Sequence, residues 1–94
     1  MIPATPASDE EIAALSGSGN WTQVGNLLEG TFSFASYAAG LGFVTSVGAI
    51  AEAQNHHPEM TLGFDTVHVR IYTHETNSIT ARDLHFCQTV SSLR

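Results

Sequence analysis

Residues 35–54 (ASYAAGLGFVTSVGAIAEAQ) constrain the chain more than any other stretch. Tyr37, Leu41, Val44, Gly48 and Ala51 fall on one helical stripe, and Gly40, Phe43, Val47, Ile50 and Gln54 fall on the next. Together they predict a helix with a wide apolar face, which has to lie across a sheet to be covered. Gly40, Gly42 and Gly48 each cost about 0.5–1 kcal/mol against alanine in a helix, so a backbone or a partner helix should approach closely there. The helix must stop near Asn55-His56-His57, because Pro58 disfavours a helical residue before it.

On both sides of that helix the period changes to two. Upstream, Trp21 to Val24 is strand-like, Gly25-Asn26 is a turn, and residues 28–34 form a second strand with Phe32 and Phe34 on one side. Downstream, residues 60–64 read as a short strand and Asp65-Thr66 as a turn. In residues 67–73, Val67, Val69, Ile71 and Thr73 point one way, and His68, Arg70, Tyr72 and His74 the other. Two capping boxes open further helices. Ser8-Asp9-Glu10-Glu11 starts one over residues 9–15, and Thr80-Ala81-Arg82-Asp83 starts the last, with Leu84, Cys87 and Val90 inward. Residues 1–7, with two prolines and no pattern, read as a loose N-terminal tail. The expected order is α-β-β-α-β-β-α: an α+β fold, a four-stranded antiparallel sheet with three helices packed on one face.

The 94 residues suffice for a single domain spanning 1–94. Hydrophobic residues reach 43 % and charged residues only 13 %, which excludes a disordered composition and leaves few charges to cover the surface. Lysine is absent and the formal net charge is −6, so nucleic acid and anionic membranes are poor partners. Cys87 is the only cysteine, ruling out an intrachain disulfide and a cysteine-based zinc cluster. With no basic, apolar leader pattern and no membrane-length apolar run, the expected place is a reducing cytoplasm.

All five histidines follow residue 55. His56 and His57 close the long helix and His74 closes the last strand, so one edge of the sheet can bring them together. Imidazoles titrate near pH ~6.5, and a histidine cluster without a nucleophile points to general acid–base work. Adjacent histidines also occur as an ordinary surface loop, and His56, His57 and Glu59 could instead ligate a metal, although neighbouring histidines chelate one ion poorly. Glu52 lies one helical turn before His56, placed either to orient that ring or simply to be solvated. His68 and His85 read as surface or packing residues, Phe64 and Trp21 as core, and Asp83 as a helix N3 carboxylate.

These positions resemble the signature of the pterin-4a-carbinolamine dehydratases: an acidic residue, His-His-Pro, an aromatic, a histidine and an aspartate. Here they are Glu52, His56-His57-Pro58, Phe64, His74 and Asp83, separated by three, five, nine and eight residues. The flanking text FSFASYAAGLGFV, AEAQNHHPE, VHVRIYTHE and ITARDL is similar too, and the likeness runs over about residues 8–94. The resemblance implies the same fold and a pterin substrate, a 4a-hydroxytetrahydropterin. It implies loss of water from that substrate to give quinonoid dihydropterin, with no metal and no organic cofactor. It further implies catalysis by His56, His57 and His74; within that trio the expected division gives proton transfer to His57 and His74 and leaves His56 to hold the 4a-hydroxyl or share the acid function. Asn55, Tyr72, Thr73 and Glu75 would contact the pterin, Glu52, Pro58, Phe64 and Asp83 would support the site, and the protein would be a homodimer or homotetramer. Where the family often carries tryptophan this chain has Met60, a softer side chain for ring stacking. Two other functions fit parts of the pattern: a non-enzymatic protein-binding module of the same fold, and a metal-dependent hydrolase or metal carrier.

Overall fold

Seven elements form in the expected order: α1 (Asp9–Gly17), β1 (Trp21–Val24), β2 (Leu27–Ser33), α2 (Tyr37–Gln54), β3 (Glu59–Leu62), β4 (Thr66–Ile71) and α3 (Ala81–Ser91). They come from a computed structural model that describes residues 2–93. Both capping boxes close. The Glu11 N–H donates to Ser8 Oγ at 3.1 Å and the Ser8 N–H to Glu11 Oε1 at 3.0 Å, and Thr80 and Asp83 repeat the arrangement at α3. Gly25 supplies the positive φ (60°) that a two-residue hairpin loop needs at its first position.

The sheet is antiparallel throughout, in the order β1-β2-β4-β3. Strand alternation separates its faces. Leu28, Phe32, Val67, Val69 and Ile71 are buried against Ile12 and Leu15 of α1, Phe43, Val47 and Ala51 of α2, and Leu84, Phe86 and Val90 of α3, so one face carries all three helices. On the other face Arg70 Nε meets Glu29 Oε2 at 2.7 Å across β4 and β2, and Thr31 Oγ1 meets His68 Nδ1 at 3.2 Å. Trp21 is core, as its pattern predicts; its indole covers Gly30, where a Cβ would come within 2.7 Å of the ring, and its Nε1–H donates to Ser91 Oγ at 2.8 Å. Phe32 stacks edge-on to Trp21 and tilts against Phe43, contacts worth about 0.5–1.5 kcal/mol each beyond burial.

Four expectations need correction. The segment expected as a loose tail is tied down: the Ala7 N–H donates to the Ile79 carbonyl at 3.1 Å, the Ala81 N–H to the Thr5 carbonyl at 2.8 Å, and Arg82 Nε to the Ile2 carbonyl at 2.8 Å. Pro6 can lie opposite Thr80 there because an edge pairing does not require its missing N–H; Met1, part of the same expectation, lies outside the described residues. β3 ends at Leu62, two residues earlier than expected, and β4 starts at Thr66, one residue earlier, which leaves Phe64 in the turn and 80 % exposed rather than in the core. Of the two α2 stripes only the one carrying Gly40, Phe43 and Val47 is buried, with Ala51; Tyr37 and Leu41 are half exposed, since one helix can press only about a third of its circumference onto a sheet. β4 ends at Ile71, and Thr73 instead pairs with Ser78 around a tight loop.

Candidate active site

The C-terminus of α2 sets the first half of the site. Asn55 adopts the left-handed conformation (φ 50°, ψ 45°), which asparagine tolerates better than most residues, and its N–H caps the carbonyls of Ala51 and Glu52. The chain therefore leaves the helix one residue before the histidine pair and sends the two rings different ways: His56 has a 13 % exposed side chain, His57 a 54 % exposed one.

His56 meets the N-terminus of α3. Its Nε2–H donates to Asp83 Oδ1 at 2.6 Å. Asp83 is fully buried, and its other oxygen accepts from the Thr80 N–H and from the Thr73 hydroxyl, both at 2.7 Å. An N3 carboxylate, legible as such in the sequence, thus also gathers α2 and the segment after β4. Because a carboxylate only accepts, it fixes the hydrogen of His56 on Nε2 and leaves Nδ1 for a ligand. Every buried side-chain polar atom among the described residues has a hydrogen-bond partner, as a buried polar network requires. The same dry, negative setting acts on Cys87, one turn further along α3: burial, then Asp83, pushes its thiol far up.

His57 pairs through Nε2 with Glu52 Oε2, a contact open to solvent. Of the two places expected for Glu52, on the His56 ring or in solvent, it takes the second: it is exposed, and the ring it meets is that of His57. The i, i+4 relation holds only while the helix continues, and Asn55 ends it. His74, exposed, has Nδ1 3.1 Å from the Tyr72 hydroxyl, with the two rings 4.4 Å apart. Each of the three imidazoles therefore has one ring nitrogen on a protein group, and the other makes no hydrogen bond to any described residue. His56 and Thr73 share the Asp83 carboxylate, and His57 and His74 are their immediate chain neighbours.

The other expected residues divide. Glu75 takes both carboxylate oxygens to Arg82 Nη1 at 3.0 Å. Thr73 is fully buried, and its N–H and C=O pair with Ser78, so it braces the site and presents nothing to a ligand. Pro58 leads into β3. Phe64 sits at the opposite end of the β3–β4 hairpin, away from the histidines, and Met60 packs against the core on the helix side. A cavity of about 390 Å³ opens beside His56, lined also by Asn55, Arg82 and His85. Sequence reasoning had set aside His85, and Thr80 was legible only as a cap; their place in the site depends on how α2 and α3 meet. Among the described residues no three His, Cys, Asp or Glu side chains group as a metal site, and the histidine pair is held by two different carboxylates.

The geometry defines a small α+β protein in which the two histidines after its long helix are each paired with a different carboxylate, His56 with Asp83 at the start of α3 and His57 with Glu52. Residues 5–93 match the family model described as Pterin 4 alpha carbinolamine dehydratase, and the chain belongs to that family. A relative from Natronomonas pharaonis, provisionally named a pterin-4-alpha-carbinolamine dehydratase, is 38 % identical over 92 % of this chain and 92 % of its own. One from Thermosynechococcus vestitus with the same provisional name is 34 % identical over 95 % and 92 %. The fold is shared with a transcriptional coactivator/pterin dehydratase from Brucella melitensis (TM-score 0.84, 23 % identity, 95 % of this chain and 98 % of that one). It is shared as well with a pterin dehydratase-like RuBisCO assembly factor of the alpha-carboxysome (TM-score 0.69, 23 % identity, 80 % and 89 %). Among the described residues no helix is long and apolar enough to cross a membrane.

Proposed function

We propose that the protein dehydrates a 4a-hydroxytetrahydropterin in the cytoplasm, in support of tetrahydropterin recycling. The reaction breaks the C4a–O bond, removes the proton from N5 and forms the C4a=N5 bond of quinonoid dihydropterin, with the oxygen leaving as water. Hydroxide leaves poorly, so one group must protonate the oxygen while another accepts the N5 proton. Such help is worth about 10²–10⁴-fold in rate. The observation that carries the reading is that His56, His57 and His74 each have one ring nitrogen oriented by the protein and one left for a ligand.

The hydrogen-bond partners support a division of roles. Glu52 stabilises an imidazolium on His57, which suits His57 to accept the N5 proton. A protonated His74, its Nδ1–H donating to the Tyr72 hydroxyl, presents Nε2–H as the acid to the departing oxygen and is left as the neutral imidazole. His56, clamped by buried Asp83, holds the 4a-hydroxyl. Asn55, Tyr72 and Glu75 border the ring, with Thr73 and Asp83 as bracing, and neither metal nor organic cofactor is needed. In an assay that follows quinonoid dihydropterin at neutral pH, His57→Ala and His74→Ala are each expected to lower kcat at least a hundredfold with an unchanged circular dichroism spectrum. Wild-type rates in both would end the acid–base assignment.

Association into a homodimer or homotetramer is part of the same reading, supported by the exposed Tyr37, Leu41 and Phe64 on a chain with few charges.

A further inference from the structure

We infer that Asn26, in the turn of the first hairpin, is a positioning residue for His74. The inference rests on the dehydratase reading, in which His74 is the acid, and adds to it a residue from a segment that holds none of the site. The three histidines are not held alike. His56 is clamped by buried Asp83, and His57 follows the capped end of α2. His74 lies beyond the end of β4, on a loop whose residues 74–77 are all exposed. Core packing does not set the place of such a loop, so hydrogen bonds have to.

The loop is closed by its own backbone and then pinned from outside. Thr73 and Ser78 exchange both backbone hydrogen bonds, at 2.9 and 3.3 Å, and inside them the Asn77 N–H donates to the His74 carbonyl at 3.2 Å. Asn77 can finish so short a loop because it takes the left-handed conformation (φ 51°), which asparagine tolerates. The register that sets Leu28 opposite Ile71 brings the β1–β2 turn alongside this loop. There the Asn26 carboxamide donates both to the Asn77 carbonyl, at 3.2 Å, and to Asn77 Oδ1, at 2.8 Å. A chain of hydrogen bonds thus runs from Asn26 through Asn77 to the peptide of His74, while Arg82 holds Glu75, the next residue, from α3. The turn itself does not single out asparagine. Gly25 carries the positive φ, Asn26 does not, and aspartate or serine would follow glycine in such a turn as readily. What asparagine adds is an NH₂ donor, which two facing oxygens require and an aspartate lacks.

The test measures kcat and KM for a 4a-hydroxytetrahydropterin at neutral pH, and hydrogen exchange of the Asn77 N–H by NMR. Asn26→Asp keeps the shape and suits the turn but loses the donor. It should lower kcat about 3–10-fold, the worth of one hydrogen bond, and quicken Asn77 exchange by a similar factor. KM should stay within about twofold, because His56, His57 and Glu75 keep their partners. Asn26→Ala should behave alike, which separates the lost donor from the added charge. Asn77→Gly keeps the left-handed conformation and the carbonyl but drops Oδ1, and should give a smaller loss of the same kind. In a His74→Ala background none of the three should lower kcat further, since a residue that acts through His74 has nothing left to place. Unchanged kcat, unchanged exchange, a loss carried by KM alone, or an equal loss with and without the His74 side chain would overturn the inference and leave the dehydratase reading standing. A wild type that turns over no 4a-hydroxytetrahydropterin would overturn both.

Discussion

Two imidazole–carboxylate pairs stand side by side on consecutive residues and behave as different objects. His56 and Asp83 are 13 % and 0 % exposed, and their carboxylate also serves Thr73, Thr80 and the cap of α3. His57 and Glu52 are 54 % and 79 % exposed and share their partners with nothing else in the fold. A buried pair left half-made strands a charge in a low dielectric, whereas an exposed pair can dissolve into water at little cost. The buried pair thus fixes where things are. The exposed one is the pair to which the proposed function gives a proton transfer.

The sharpest way to break this contrast is Asp83→Ala. It deprives His56, the Thr73 hydroxyl and the Thr80 N–H of their acceptor at once, and should cost about 3–5 kcal/mol in chemical denaturation. A cap alone is worth about 1 kcal/mol, so a loss near that value would mean the carboxylate is only a cap and the buried side is no network.

Glu52→Gln should do the reverse. Stability should stay within about 0.5 kcal/mol, while the dehydration rate falls about two- to fivefold, since an exposed carboxylate stabilises the neighbouring imidazolium only modestly. Raising the salt concentration should lower the wild-type rate in the same direction. A stability loss as large as that of Asp83→Ala would erase the distinction between the pairs.

The smallest effect reads the dryness of the buried side through Cys87. Its thiol lies above the ordinary 9.0, so the protonated form is favoured in the folded state. The resulting stabilisation is complete below the unfolded value and is lost as pH rises beyond it, when the unfolded chain ionises first. Stability should therefore decline above about pH 9, and the thiol should resist alkylation at pH 8 until the protein is unfolded in urea. Rapid alkylation of the folded protein would show that water reaches the Asp83 side.

Much of this architecture was legible in the chain because its signals are local. Ser8/Glu11 and Thr80/Asp83 start helices whatever surrounds them, Gly25-Asn26 turns a hairpin, and the alternation from Val67 separates two faces of a sheet. The histidine spacing is also local text, and it pointed to the right family. Phe64 and the N-terminal segment were misread for a shared reason. A hydrophobic residue is buried only if the turn register carries it to the helix side, and a patternless segment is ordered only if a neighbouring backbone has groups left to pair.

Sequence alone was enough to determine the element order and the caps, since each depends on residues within a few positions of one another. Which carboxylate backs which imidazole was decided in three dimensions. Asn55 turns the chain out of the helix, so Glu52, four residues before His56, is left to His57, and Asp83, twenty-seven residues after His56, takes its place. The cavity that unites Ile2, His56 and His85 likewise arises only when α2, α3 and the N-terminal segment pack together, because contacts between distant segments are set by how the core closes and not by any local pattern.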